Sequence, residues 1–598
     1  MTSISPHHFH IPVMGIAFTI DSPLKVAAFG ISSALSIIED NLIEAMRKYY
    51  YQNFGETYIP ITTKEENYRS KRITDYLNLI QRHVQEQIEK IKNAAFETGS
   101  DVVKYFEMLP DDSLLKETYL QFMQTTDLSK KVSLENLLRK QVKPGIIEVN
   151  IMTKVDKNNV DKNGYTIENG SDALEALKAY AESSLKNSAV IFSAGMNPSL
   201  YNYLENFAEF DAKAWGNFEK RVVIKVSDYR SALIQGKYLA KKGIWVSEFR
   251  IESGLNCGGH AFATQGLLLG PILQEFKNRK TELAQELFGL YNPYLLAKGK
   301  AGFEKPHPIK ITVQGGIGTF EEAQFLQSHY GMDSTGWGTP FLLCPEATTV
   351  DEETLQLLSK AKEKDVFLSN NSPLGVRFNY LKNTGADKEK LERIQKGTPG
   401  SPCTEKYLVS NTEFTKEPIC TASKKYQKLK LKQLENAGLQ DQEYKKQVEE
   451  VISKECLCIG LSNAASVAYK IPFVKKLTAV NICPGPNIAN YSKIATLQEM
   501  TDHIYGRANL VTNSNRPHMF IKELELYIDY YQEMLDAMQT QDKKGARNLN
   551  AFGKSLLEGI SYYETLQKTN LFPSQFIKGL VIAEKKVTEL MQRFQLLN

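Results

Sequence analysis

Apolar positions fall into short continuous runs separated by longer stretches of helical period. Residues 10–20 (HIPVMGIAFTI) and 33–37 (SALSI) read as two buried strands, apolar and bounded by turn formers. Pro23 is placed to open a short helix between them. The pattern then changes. Residues 39–141 carry polar amphipathic segments such as TDYLNLIQRHVQEQIEKIKNAAF, an inserted helical region that serves either as a solvated cap or as a lid over a site. From residue 145 strand and helix patterns alternate. GIIEVNIM, AVIFSAG, RVVIKV, GIWVSEF, PIKITVQ and the very short run 333–338 predict six more strands, with helical segments between and after them. Past residue 370 the alternation stops. A loop-rich stretch (396–423), a charged helical stretch (424–453), two cysteine-bearing turns and three amphipathic helices follow.

Strands alternating with helices predict parallel βα units. Eight of them close into a (β/α)8 TIM barrel, whose sites lie at the strand C-termini. A doubly wound sheet is the alternative packing. The predicted organisation is a barrel from residues 1–38 and 142–369, a helical insertion at 39–141, and a cysteine-containing, largely α-helical region at 370–598. At 598 residues more than one domain is expected.

Composition narrows the function classes. Hydrophobic residues make up 42% and charged residues 24%, the balance of a soluble globular chain. A net charge of +4, with Lys and Arg dispersed, argues against a nucleic-acid partner. No run of about 18 apolar residues suggests a membrane span. Seven cysteines without an export signal predict a reducing, cytoplasmic setting. A small-molecule substrate is the remaining expectation; the oligomeric state stays open.

The candidate chemistry sits at the predicted strand ends. In residues 248–266 (EFRIESGLNCGGHAFATQG) Gly258 and Gly259 allow close approach to a flat ligand, and His260 follows as a proton-exchanging side chain. Gly315 and Gly316 follow a strand and precede a helix, an anion-binding arrangement. Gly338 and Thr339 add N–H donors and a hydroxyl on the next strand, so the two turns together predict a phosphate site. Cys403, Cys420, Cys456, Cys458 and Cys483 are candidate ligands for zinc or an iron–sulfur cluster, or else buried thiols. His7, His8 and His10 read as a polar N-terminal edge.

The first strand, EVN at 148–150, GLNCGGH, VQGGIGTFEEA and GWGTPFLLCPEA together resemble the nitronate monooxygenase (2-nitropropane dioxygenase) family, a relative of flavin-dependent enoyl-acyl-carrier-protein reductase. The resemblance covers residues 12–382 apart from the insertion. It implies an FMN-binding (β/α)8 barrel and a monooxygenase-like oxidoreductase in which the flavin carries the electrons. Gly15 would back the isoalloxazine ring, Asn150 would hydrogen-bond it, and Lys225 would sit near its N1–C2=O edge. Gly258 and Gly259 would let the chain approach it. His260 would be the catalytic acid/base. Gly315, Gly316, Gly338 and Thr339 would bind the FMN phosphate. The same resemblance admits an NAD(P)H-dependent enoyl-thioester reductase; a non-catalytic flavin- or phosphate-binding module is a third reading. Asn256-Cys257 stand where the family usually has an acidic residue and Ala, and Ala261-Phe262 follow the histidine where Arg-Gly is usual.

Overall fold

The computed structural model describes residues 5–597 except 154, 162, 194, 259–264, 475–476, 539–542 and 569–571. Eight parallel strands close into a barrel: β1 (Phe9–Ile11), β2 (Ser32–Ser36), β3 (Ile147–Ile151), β4 (Ser188–Phe192), β5 (Lys220–Val226), β6 (Val246–Glu252), β7 (Lys310–Gln314) and β8 (Ser334–Gly336). Closure runs through β1 and β8, with His10 opposite Gly336. The predicted (β/α)8 barrel is the observed fold.

Period-two alternation explains what fills the barrel. Arg250 on β6 makes paired hydrogen bonds to Glu148 on β3, at 2.9 and 2.8 Å, and Glu248 accepts from Arg250 and Thr312. Strands β3 and β6 are separated by β4 and β5, so these side chains meet only through the interior. Beside them Ala34, Ala189, Ile191 and Val223 form a small apolar cluster. Two residues further along the strands, Ser36, Asn150, Lys225, Glu252 and Gln314 form the layer facing the C-terminal mouth.

Helices wrap the outside, and their starts are legible as caps. Ser171, Asp228, Thr319 and Asp351 each accept the N–H three residues on, opening helices Asp172–Glu182, Tyr229–Ala240, Phe320–Ser328 and Glu352–Lys360. Within the predicted insertion, helix Tyr68–Asn93 packs against Asp172–Glu182 and buries Tyr76, Leu77 and Ile80. Helices Met519–Asp536, Lys543–Gln567 and Ser574–Leu597 pack on one another, and the first two on helix Leu269–Ala297. No helix among the described residues is long and apolar enough to cross a membrane.

Three local expectations change. The run at 10–20 pairs only as far as Ile11. Beyond it Pro12 cannot donate to a ladder, and Gly15 turns the chain at φ +107°. Met14, Ile16, Ala17, Phe18 and Ile20 are buried off the ladder, and the Ala17 N–H donates to the Leu461 carbonyl of the C-terminal region. His7 and His10 are no polar edge: both are 3% exposed, and His7 bonds Tyr505 and the Phe29 carbonyl. A two-stranded antiparallel sheet, Val366–Ser369 with Phe378–Leu381, spans the residue-370 boundary, where no strand was expected.

Candidate functional site

A cavity of about 1240 Å³, solvent included, lies at the C-terminal mouth of the barrel. Its floor comes from strand ends and the loops that follow them: Gly15, Ser36, Asn150, Ser193, Lys225, Glu252 and Gly258. Glycine is required at two of these positions. A Cβ on Gly258, at φ +83°, would stand 3.0 Å from the Gly15 nitrogen and 3.1 Å from the Met14 Cα. The two segments therefore touch backbone to backbone.

The floor is polar and partly unpartnered. Lys225 Nζ lies 3.0 Å from Glu252 Oε1. That oxygen also accepts from Asn256 and Gln314, each at 2.8 Å. The ammonium is thus held at the mouth by a carboxylate that is itself fixed from two sides. Asn150 Oδ1 and Ser36 Oγ are buried without a hydrogen-bond partner. Buried polar atoms are ordinarily paired, so two orphans on one cavity floor mark where a ligand's hydrogen-bonding groups fit.

The roof is apolar and belongs to the C-terminal region. Leu374, Val376, Phe378, Leu408, Leu457 and Leu461 cover the floor from above. Backbone contacts fix them in place: the Gly258 N–H donates to the Cys483 carbonyl at 3.0 Å, and the Ala17 N–H to the Leu461 carbonyl at 3.0 Å.

The structure brings Gly15, Asn150, Lys225 and Gly258 together around this cavity, joined by Cys458 and Cys483. Gly259 and His260 lie outside the described residues. Gly315, Gly316, Gly338 and Thr339 do not line the cavity. A loop at residues 483–486 covers part of that region: Thr339 Oγ1 donates to the Pro484 carbonyl at 2.7 Å, and a Cβ on Gly485 would meet Thr339 Oγ1 at 2.9 Å. Gly338 is closed by Cys257, whose sulfur lies 2.5 Å from where its Cβ would be. At the adjoining helix start the Gly318 N–H is taken by Glu322, whose carboxylate pairs with Arg516 and accepts from the Met519 N–H. The chain's own carboxylate and guanidinium thus occupy the helix terminus where an anion was expected. The cavity floor thus leaves two polar atoms free for a ligand, while the turns predicted to hold a phosphate are covered by the chain itself.

Glu252, Ser36 and Glu322 carry this geometry and were not singled out from the sequence. The signal for Glu252 was present: Glu248, Arg250 and Glu252 alternate on one strand that reads otherwise as apolar. Arg516 and the roof residues had no local signal, because they reach the mouth from beyond the last barrel strand, Arg516 from 200 residues past Gly316. Of the metal candidates, Cys403, Cys420, Cys456 and Cys458 line a second, smaller cavity and Cys483 does not. Among the described residues no three His, Cys, Asp or Glu side chains converge as ligands of one ion.

No family model matches the chain, and no curated protein matches it. Among solved structures it is similar to the enoyl reductase domain of MlnA from the macrolactin biosynthesis cluster of Bacillus amyloliquefaciens: 15% identity, 69% of this chain against 87% of that one, TM-score 0.31. It is also similar to a nitroalkane oxidase from Streptomyces ansochromogenes: 11% identity, 43% of this chain against 68% of that one, TM-score 0.23. Both likenesses are remote.

Proposed function

We propose that this chain is a flavin-dependent oxidoreductase that works at the barrel mouth on a small-molecule substrate with an apolar body. The observation that carries the reading is the cavity floor: two glycine backbones in contact, an anchored ammonium, and the unpartnered Asn150 Oδ1 and Ser36 Oγ. This is the donor and acceptor set that the edge of a flavin ring requires. When bound, the flavin supplies the hydride and electron chemistry. The protein's part is to orient and to shield. Asn150 and Ser36 would offer hydrogen-bond partners to the ring. Lys225, braced by Glu252, sets positive charge beside the floor, where it favours negative charge on a bound ring. The apolar roof excludes water. His260 is assigned the proton transfer on the strength of the sequence resemblance alone.

Within this class the apolar roof favours an enoyl thioester, reduced with NAD(P)H as electron donor, over a small nitronate. Leu374, Val376, Phe378 and Leu461 give an acyl chain a surface to bury, which a nitronate of a few atoms does not need.

Anaerobic absorbance and flavin titration test the reading. The purified full chain is expected to hold or take up FMN, and Asn150→Ala with Lys225→Ala to weaken that binding at least roughly tenfold, the scale of one or two lost polar contacts. His260→Ala is expected to keep the flavin and lose turnover. Consumption of NAD(P)H that depends on an enoyl thioester would support the reductase; oxygen uptake with a nitronate would support the monooxygenase. A folded chain that binds neither FMN nor riboflavin would remove the oxidoreductase reading. Flavin uptake with no turnover on either substrate would leave a binding module. Comparing FMN with riboflavin reads the phosphate separately: equal affinities would mean that the covered turns stay closed.

A further inference from the structure

The C-terminal region gathers four thiols around one small cavity, lined by Cys403, Cys420, Cys456 and Cys458. They come from two separate segments. Cys403 lies in a loop, in the left-handed conformation at φ +58°. Cys420 lies just before the helix at Lys424–Glu435, and the Ser401 N–H bonded to the Ala422 carbonyl, at 2.8 Å, draws these two arms together. Cys456 precedes the short helix Leu457–Gly460, and Cys458 lies within it.

The thiols meet as two pairs. Cys403 is in hydrogen-bonding contact with Cys420, and Cys456 with Cys458. Backbone N–H groups of Lys406, Ala422 and Ile459 donate to the sulfurs of Cys403, Cys420 and Cys456. No disulfide joins any of the four. Thiols that merely fill a core pack among aliphatic side chains as small hydrophobes. Here they face one another across a space, with backbone donors turned toward the sulfurs. One zinc ion would need all four sulfurs about 2.3 Å from a single point, and the side chains do not converge in that way. Iron–sulfur clusters are larger. They take four cysteine thiolates, two to each iron in the binuclear form, and hydrogen bonds to the sulfurs tune them. Two pairs about a cavity, with N–H donors behind, match that requirement.

We propose that Cys403, Cys420, Cys456 and Cys458 ligate an iron–sulfur cluster. Its cavity shares Leu408, Leu457 and Cys458 with the wall of the barrel-mouth cavity, so the two sites are neighbours. The assignment does not depend on the flavin reading, because iron and sulfide are measured chemically whether or not the barrel holds a flavin.

The experiment uses the full chain, purified anaerobically, treated with ferrous iron and sulfide, and desalted. Iron and acid-labile sulfide are expected in equal amounts, about two of each per chain for the binuclear form. Cys420→Ser and Cys456→Ser should each lose most of both, while Cys344→Ser, a buried cysteine elsewhere, should keep them. Circular dichroism on each variant separates lost ligation from lost folding. If the variants do not fold, the wild type still decides, by electron paramagnetic resonance after dithionite reduction. A folded wild-type chain that takes up no iron and sulfide overturns the proposal. So does bound zinc in their place, or a Cys403–Cys420 disulfide found by mass spectrometry of the freshly isolated protein.

Discussion

At the scale of single residues, the backbone contact between Gly258 and the Met14–Gly15 peptide shapes the floor of the cavity. Gly258 lies at φ +83°, where a Cβ is strained, and its neighbours leave no room for one. Gly99 has the same φ of +83° with nothing within 4 Å of its would-be Cβ. The pair separates strain from contact. Alanine at either position costs about 1–2 kcal/mol for the left-handed backbone. At Gly258 the new methyl also presses on backbone atoms, adding overpacking of about 1–3 kcal/mol. Urea unfolding is therefore expected to show Gly258→Ala less stable than Gly99→Ala by at least about 1 kcal/mol, with weaker flavin binding in the first only. Equal losses would refute the close approach. This residue was legible in the sequence because a glycine pair before a histidine has few other uses. Asn150 and Lys225 were named only through family resemblance, and nothing local marked Glu252 as the side chain that holds Lys225.

At the scale of elements, one helix of the C-terminal region fastens the loop that follows β6. Glu523, on helix Met519–Asp536, is 2% exposed. It accepts the Gly254 N–H at 3.2 Å and the Leu269 N–H at 2.8 Å. The second bond caps helix Leu269–Ala297, which has no side-chain cap of its own. Burial raises the Glu523 carboxyl to about 7. A carboxyl whose pKa is higher in the fold than in the unfolded chain favours folding below its unfolded value, near 4.5, and loses that contribution as pH rises through about 7. Glu523→Gln does not titrate. The stability of the wild type relative to Glu523→Gln should therefore fall between pH 4.5 and pH 8, by roughly 3 kcal/mol at most. Urea unfolding of both proteins at several pH values measures it, and a pH-independent difference would refute the assignment. The sequence carried most elements because their signals are local: apolar runs for strands, caps and helical period for helices. It misread the first strand, where apolarity came from burial off the ladder rather than from pleating. It missed the sheet Val366–Ser369 with Phe378–Leu381, whose strands of four residues each are too short to show a period.

At the scale of the molecule, the predicted barrel, insertion and C-terminal stretches share one hydrophobic core, which runs from Phe9 through Tyr76 and Phe249 to Phe594. Polar contacts follow the same course. Asp21 accepts from Tyr50 in the insertion and from Tyr469 in the C-terminal region. Glu322 on the barrel pairs with Arg516 at 2.7 Å. His7 bonds Tyr505 at 2.9 Å and is held neutral by its burial. Removing one partner of a buried ion pair such as Glu322–Arg516 typically destabilises by about 3–5 kcal/mol, so the C-terminal region cannot detach without leaving such groups unpaired and an apolar barrel face bare. The chain is thus expected to unfold cooperatively as one body despite its length. Its tryptophans allow a direct test, because all three, Trp215, Trp245 and Trp337, lie in the barrel and none in the last 230 or so residues. Tryptophan fluorescence reports the barrel, while far-ultraviolet circular dichroism is weighted toward the helices of the whole chain. If one core holds the molecule together, the two denaturation curves coincide, as all-or-none unfolding requires. A circular-dichroism loss at lower denaturant than the fluorescence change would mean that the C-terminal helices melt off an intact barrel. The roof of the cavity would then be a separable addition rather than a wall of the site.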